Sequence, residues 1–101
     1  MIQAQITLPY DAIAAFCQRH PIRKLSLFGS VLRDDFTPES DVDILVEFEP
    51  NASVGYFELV QMQIELSAIF EREVDLLTPN ALSRQFRERV LNAAQVVYEK
   101  E

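Results

Sequence analysis

The chain has 101 residues, 49% of them hydrophobic, enough for one core and too few for several domains, so residues 1–101 read as a single domain. Sixteen acidic residues against nine basic ones give a net charge of −7, which argues against direct nucleic-acid binding and toward a nucleotide carried in with a cation, or a basic protein. The longest apolar runs are strand-sized, no basic stretch leads into one near the start, and the lone Cys17 can close no internal disulfide, so a cytoplasmic chain without signal peptide or membrane span is expected.

Pro9-Tyr10-Asp11 opens an amphipathic helix over residues 9–19, with Ile13, Phe16 and Cys17 at helical spacing. His20-Pro21 ends it, because a residue before proline disfavours the helical region. Residues 22–28 alternate as a strand, Leu25 and Leu27 on one side, Lys24, Ser26 and Phe28 on the other. Gly29-Ser30 then turns into a short helical stretch ending near Asp34-Asp35, and 37–40 form a loop. Residues 41–49 are a strand, 50–55 a second loop, and a long helix runs to about residue 72.

That helix carries two apolar stripes on nearly opposite faces: Val54, Phe57, Val60, Ile64 and Ala68, and Leu59, Met62, Leu66, Ile69 and Phe70. One stripe serves the sheet. The other needs cover from the C-terminal segment or from another chain. A third strand follows at 73–77, then a helix at 79–94 with Leu82, Phe86, Val90 and Leu91 inward, and a last short strand at 96–98. Alternating strands and helices predict an α/β (α+β) layer structure.

The stretch that carries chemistry is Gly29-Ser30, ten residues, then Asp41-Val42-Asp43. Side chains two apart on a strand share a face, so Asp41 and Asp43 project together while Val42, Ile44, Val46 and Phe48 point the other way. Carboxylates so close repel one another unless a cation sits between them, and magnesium prefers such oxygen ligands. Asp75 repeats the pattern between Val74 and Leu76, and arrives at the same open face if the two strands are neighbours. Three carboxylates can hold two magnesium ions, the arrangement that clamps the attacking and leaving oxygens of an in-line displacement. Glycine lets backbone approach a ligand closely, and Ser30 begins a helix whose free N–H groups suit phosphate. Arg33 can add a fixed cation.

At these residues the chain resembles a known family. Gly29-Ser30-Val31-Leu32-Arg33 followed by Ser40-Asp41-Val42-Asp43-Ile44-Leu45-Val46 is similar to the nucleotidyltransferase superfamily that includes DNA polymerase β. The Val46-Glu47-Phe48-Glu49 ending and Val74-Asp75-Leu76-Leu77 resemble its minimal nucleotidyltransferase branch, over about residues 9–98. The resemblance implies a small mixed sheet with helices packed on one face and an open active-site face. It implies Asp41, Asp43 and Asp75 as catalytic metal ligands for two Mg²⁺ ions, and Gly29, Ser30, Arg33 and Ser40 as nucleotide-binding residues. It also implies ATP as substrate and transfer of AMP onto a hydroxyl, such as a tyrosine of a partner HEPN-domain toxin that the chain would neutralise as antitoxin. Here Asp34-Asp35 follow the arginine where many relatives carry glycine, which weakens the case for Arg33.

Plainer readings stand beside these. Arg33 can pair on the surface with Asp34, Asp35 or Glu39, His20 caps a helix, and Cys17 fills core. Arg84, Arg87 and Arg89 spread around the last helix as a solvated face. Two other functions compete with enzymatic toxin modification. One is a non-catalytic antitoxin that covers its toxin through the spare stripe, as a homo- or hetero-oligomer. The other is transfer to a small molecule such as an aminoglycoside, which ranks last for want of an acceptor domain.

Overall fold

A computed structural model of the chain describes residues 8–33, 36–37 and 39–100. The elements run in the order α1 (Tyr10–Arg19), β1 (Ile22–Phe28), a 3-10 turn (Gly29–Leu32), β2 (Val42–Phe48), α2 (Tyr56–Phe70), β3 (Val74–Leu77), a second 3-10 turn (Pro79–Ala81), α3 (Arg84–Ala93) and β4 (Gln95–Glu99). The four strands form one mixed sheet in the order β3-β2-β1-β4. β1 pairs antiparallel with both β2 and β4, whereas β2 and β3 run parallel, joined by α2 as the crossover. The predicted strands and the first two helices are found within about two residues of their expected ends. The predicted end of the helical stretch at Asp34-Asp35 lies outside the described residues.

One face of the sheet is sealed by two helices. Ile13, Phe16 and Cys17 of α1 and Met62, Leu66 and Phe70 of α2 meet Leu25, Leu27, Val42, Ile44, Val46, Val74 and Leu76 in one core. Their alternation along each strand is what the sequence pattern predicts. Burial pushes the Cys17 thiol up to about 12, as expected for a packing residue. His20 closes α1: its Nε2 lies 3.0 Å from Glu65 Oε2, and Arg19 donates to Glu65 Oε1 at 3.2 Å. Glu65 thus pins the end of α1 to the middle of α2.

The opposite face carries a smaller cluster of Phe28, Leu45 and Val90, the last from α3. Here the structure corrects the sequence reading in two places. The helix expected at 79–94 is interrupted: Leu82 and Ser83 are extended, and Arg87 holds the break by donating to the Pro79 carbonyl at 2.7 Å and the Leu82 carbonyl at 3.2 Å. Of its four expected core residues, Val90 is buried and Leu82 packs partly buried against the same cluster, whereas Phe86 and Leu91 are exposed. Of the two covers open to the first α2 stripe, the C-terminal segment does not supply one for Phe57 and Ile64. Phe57 is 86% and Ile64 57% exposed, while Val54 packs against the core.

Candidate active site

β1, β2 and β3 deliver their functional residues to the same end of the sheet. β1 finishes at Phe28, paired with Asp43 near the start of β2. Asp43 in turn pairs with Asp75 across the parallel β2–β3 ladder, so both side chains leave the sheet on the same face. Asp41 immediately precedes β2 and is exposed. Strand pairing thus makes Asp43 and Asp75 neighbours, which meets the condition that the sequence reading set for Asp75. Burial, then the charge of Asp75, then that of Asp41 hold the Asp43 carboxyl above its ordinary value, and Arg33 partly offsets them. All four charged residues therefore share one field. Among the described residues, no group of three acidic side chains is already drawn together around a point that could hold a metal ion. Mutual repulsion opposes such gathering, and like charges in that number are the donor set that suits a hard divalent cation.

Gly29 is the hinge of the site. Its φ is +77°, a conformation that a side chain strains, and a Cβ there would lie 3.2 Å from Asp43 Cγ and run into Oδ2. The glycine therefore permits both the turn and the seat of the Asp43 carboxylate. The Gly29–Leu32 turn is a single 3-10 turn, closed by the Arg33 N–H donating to the Ser30 carbonyl at 2.9 Å.

Gly29, Ser30, Arg33 and Asp43 line one side of a cleft of about 370 Å³. Phe86, Arg89, Val90 and Ala93 of α3 line the other. Asp41 and Asp75 stand beside this cleft rather than in its lining. Ser40 is engaged elsewhere. Its Oγ accepts from the Thr37 N–H at 3.0 Å and lies 3.1 Å from Thr37 Oγ1, so it closes the loop ahead of β2 instead of facing the cleft. Arg72 steadies that loop, with its guanidinium 4.8 Å from the Phe36 ring centre and Nη1 3.4 Å from the Thr37 and Ser40 carbonyls. Sequence reasoning missed Phe86, assigned to the core, and Arg89, assigned to solvent. Their i, i+3 spacing puts both on the cleft side of α3 once its contact through Val90 is known.

A nucleotidyltransferase domain model matches residues 11–97 of the chain. The chain is 38% identical over 76 residues to MJ0435 of Methanocaldococcus jannaschii, which bears the name of a protein adenylyltransferase, covering 75% of this chain and 80% of that one. It is 35% identical over 81 residues to the protein adenylyltransferase MntA of Thermococcus cleftensis, covering 80% and 78%. Among solved structures, a toxin–antitoxin complex with AMP-PNP superposes with a TM-score of 0.74 at 18% identity, over 93% of this chain and 76% of that one. A complex of a tri-AMPylated Shewanella oneidensis HEPN toxin with its MNT antitoxin gives 0.65 at 17% identity, over 90% and 70%. The chain belongs to the nucleotidyltransferase domain family, a class of enzymes. Its mixed α+β fold is that of the minimal members seen in these toxin–antitoxin pairs. No helix among the described residues is long and apolar enough to cross a membrane.

Proposed function

We propose that the chain transfers AMP from magnesium-bound ATP to a hydroxyl of a partner protein, a tyrosine of a HEPN-domain toxin, and thereby acts as its antitoxin. The observation that carries this reading is the Asp43–Asp75 pair on adjacent parallel strands, with Asp41 in the same field and the Gly29 turn against Asp43. Asp41, Asp43 and Asp75 would hold the magnesium ions, which when bound neutralise phosphate charge and lower the pKa of the attacking hydroxyl. Backbone N–H groups of the Gly29–Ser30 turn face the β- and γ-phosphates, and Arg33 adds positive charge to the same side. The acceptor oxygen forms a bond to the α-phosphorus, the bond to the β-bridging oxygen breaks, and pyrophosphate leaves. The hydroxyl proton passes to a nearby carboxylate or to water. The AMP-PNP and AMPylated toxin of the two structural neighbours support both the nucleotide and the acceptor class.

The exposed Phe57 and Ile64 favour a second reading, in which the chain silences its partner by binding alone. One experiment separates the two. The purified chain is incubated with Mg-ATP and the product of the adjacent gene, and the partner is weighed by mass spectrometry with tyrosine mapping. Wild type should add adenylate to the partner and relieve its toxicity, whereas Asp43→Asn should do neither. An unmodified partner that is nonetheless neutralised by Asp43→Asn rejects the enzymatic reading.

A further inference from the structure

The α3 side of the cleft has no part in the chemistry assigned above, yet its composition is specific. Val90 anchors the helix against Phe28 and Leu45 and is buried. Phe86, one turn earlier, remains 51% exposed although it lines the cleft. Arg89 also lines it and makes no hydrogen bond or ion pair with any other described residue. The contrast is with Arg87 on the same helix, whose guanidinium is consumed by the Pro79 and Leu82 carbonyls. An open aromatic ring and an uncommitted guanidinium, one helical turn apart, thus face the Gly29–Ser30 turn across a space large enough for a small ligand.

We infer that this helix face receives the nucleotide: the Arg89 guanidinium engages the triphosphate opposite the Gly29–Ser30 turn, and the Phe86 ring lies against the nucleobase. The inference rests on the nucleotide-transfer reading and adds residues to it. A guanidinium matches phosphate oxygens two at a time, and in a chain of net charge −7 it supplies local attraction that the acidic residues deny. An aromatic face beside an apolar floor of Phe28 and Val90 suits a flat heterocycle without fixing its identity.

Calorimetry with two probes tests it, a non-hydrolysable ATP analogue and inorganic tripolyphosphate, each with magnesium. Arg89→Ala should weaken both by about tenfold, and Arg89→Lys by less. Phe86→Ala should weaken the ATP analogue by about tenfold and leave tripolyphosphate unchanged, while Phe86→Tyr, which keeps the ring, should bind as wild type. Both sites are exposed, so the melting temperatures should stay at the wild-type value. Wild-type binding of both probes by Arg89→Ala and Phe86→Ala overturns the inference and leaves the transfer reading standing. A Phe86→Ala loss that is equal for the two probes, or that comes with a lower melting temperature, overturns the base contact. Failure of the unmutated chain to bind either probe rejects the transfer reading and this inference together.

Discussion

Gly29 and Asp43 are a fitted pair, and the fit is the most demanding local feature of the site. A positive φ at Gly29 lets β1 turn back at once into the 3-10 turn, and the missing side chain leaves room for the Asp43 carboxylate. Gly29→Ala should therefore suffer twice, from backbone strain and from collision with Asp43. The expected loss is about 1–3 kcal/mol, read as a melting temperature lower by roughly 5–15 °C, with transfer activity falling further because Asp43 is displaced. Gly55→Ala is the internal control. Gly55 has an ordinary φ of −88° and meets only the Glu58 carboxylate at 3.5 Å, so the change should cost no more than the loss of glycine from the α2 N-cap, about 0.5–1 kcal/mol. Equal losses at the two glycines would refute the argument that Gly29 is special.

At the scale of elements, α2 has two duties beyond burying its core stripe. β3 is an edge strand, and its outward N–H groups would otherwise be left to solvent. Gln63 Oε1 accepts from the Leu76 N–H at 2.9 Å and Ser67 Oγ from the Val74 N–H at 3.1 Å, so α2 side chains grip β3 on both sides of Asp75. Gln63→Ala should cost about 1 kcal/mol and lower the rate of transfer by loosening Asp75, with ATP binding less affected. Hydrogen exchange at the Leu76 amide measures the loosening directly, and an unchanged exchange rate would contradict it. Polar positions within α2 drew no comment from the sequence, since Gln63 and Ser67 look like ordinary surface residues until β3 is seen beside them. The strand aspartates were legible for the opposite reason. Period-two alternation fixes which way Asp43 and Asp75 point relative to Val42, Ile44, Val74 and Leu76, whatever the neighbours are. Helical periodicity in the last helix misled because apolar spacing marks a face without saying what covers it. Phe86 faces a cleft and Leu91 is exposed, whereas Val90 and, just ahead of the helix, Leu82 pack against the sheet. Ser40, borrowed from the family motif, proved to close its own loop.

At the scale of the whole molecule, the Asp43–Asp75 end of the sheet and the aromatic start of the exposed apolar stripe lie at opposite ends of the fold. α2 carries the chain from the finish of β2 back to the start of the parallel β3, so it runs against both strands. Its first turn, with Tyr56 and Phe57, therefore lies at the end of the sheet remote from Asp43 and Asp75. A helix of fifteen residues spans about 22 Å, which sets the scale of that separation. Tyr56 and Phe57 pack edge-on with ring centres 6.1 Å apart, and together with Ile64 they leave an apolar strip open on an otherwise acidic chain. Association with a partner and chemistry on it should accordingly be separable by mutation. Phe57→Asp adds a charge to an open position, so the isolated chain should keep its stability to within about 0.5 kcal/mol. The complex should weaken by about tenfold or more, as expected for loss of an aromatic anchor. Asp43→Asn should do the reverse, leaving the dissociation constant unchanged while abolishing adenylate transfer. At high partner concentration, Phe57→Asp should recover the wild-type modification rate, because the Asp43–Asp75 end of the sheet is untouched. If Phe57→Asp remains inactive when the partner is saturating, the stripe and the cleft are coupled. In that case the strip does more than dock a partner, and the Gln63 and Ser67 bonds to β3 are the connection that α2 offers between them.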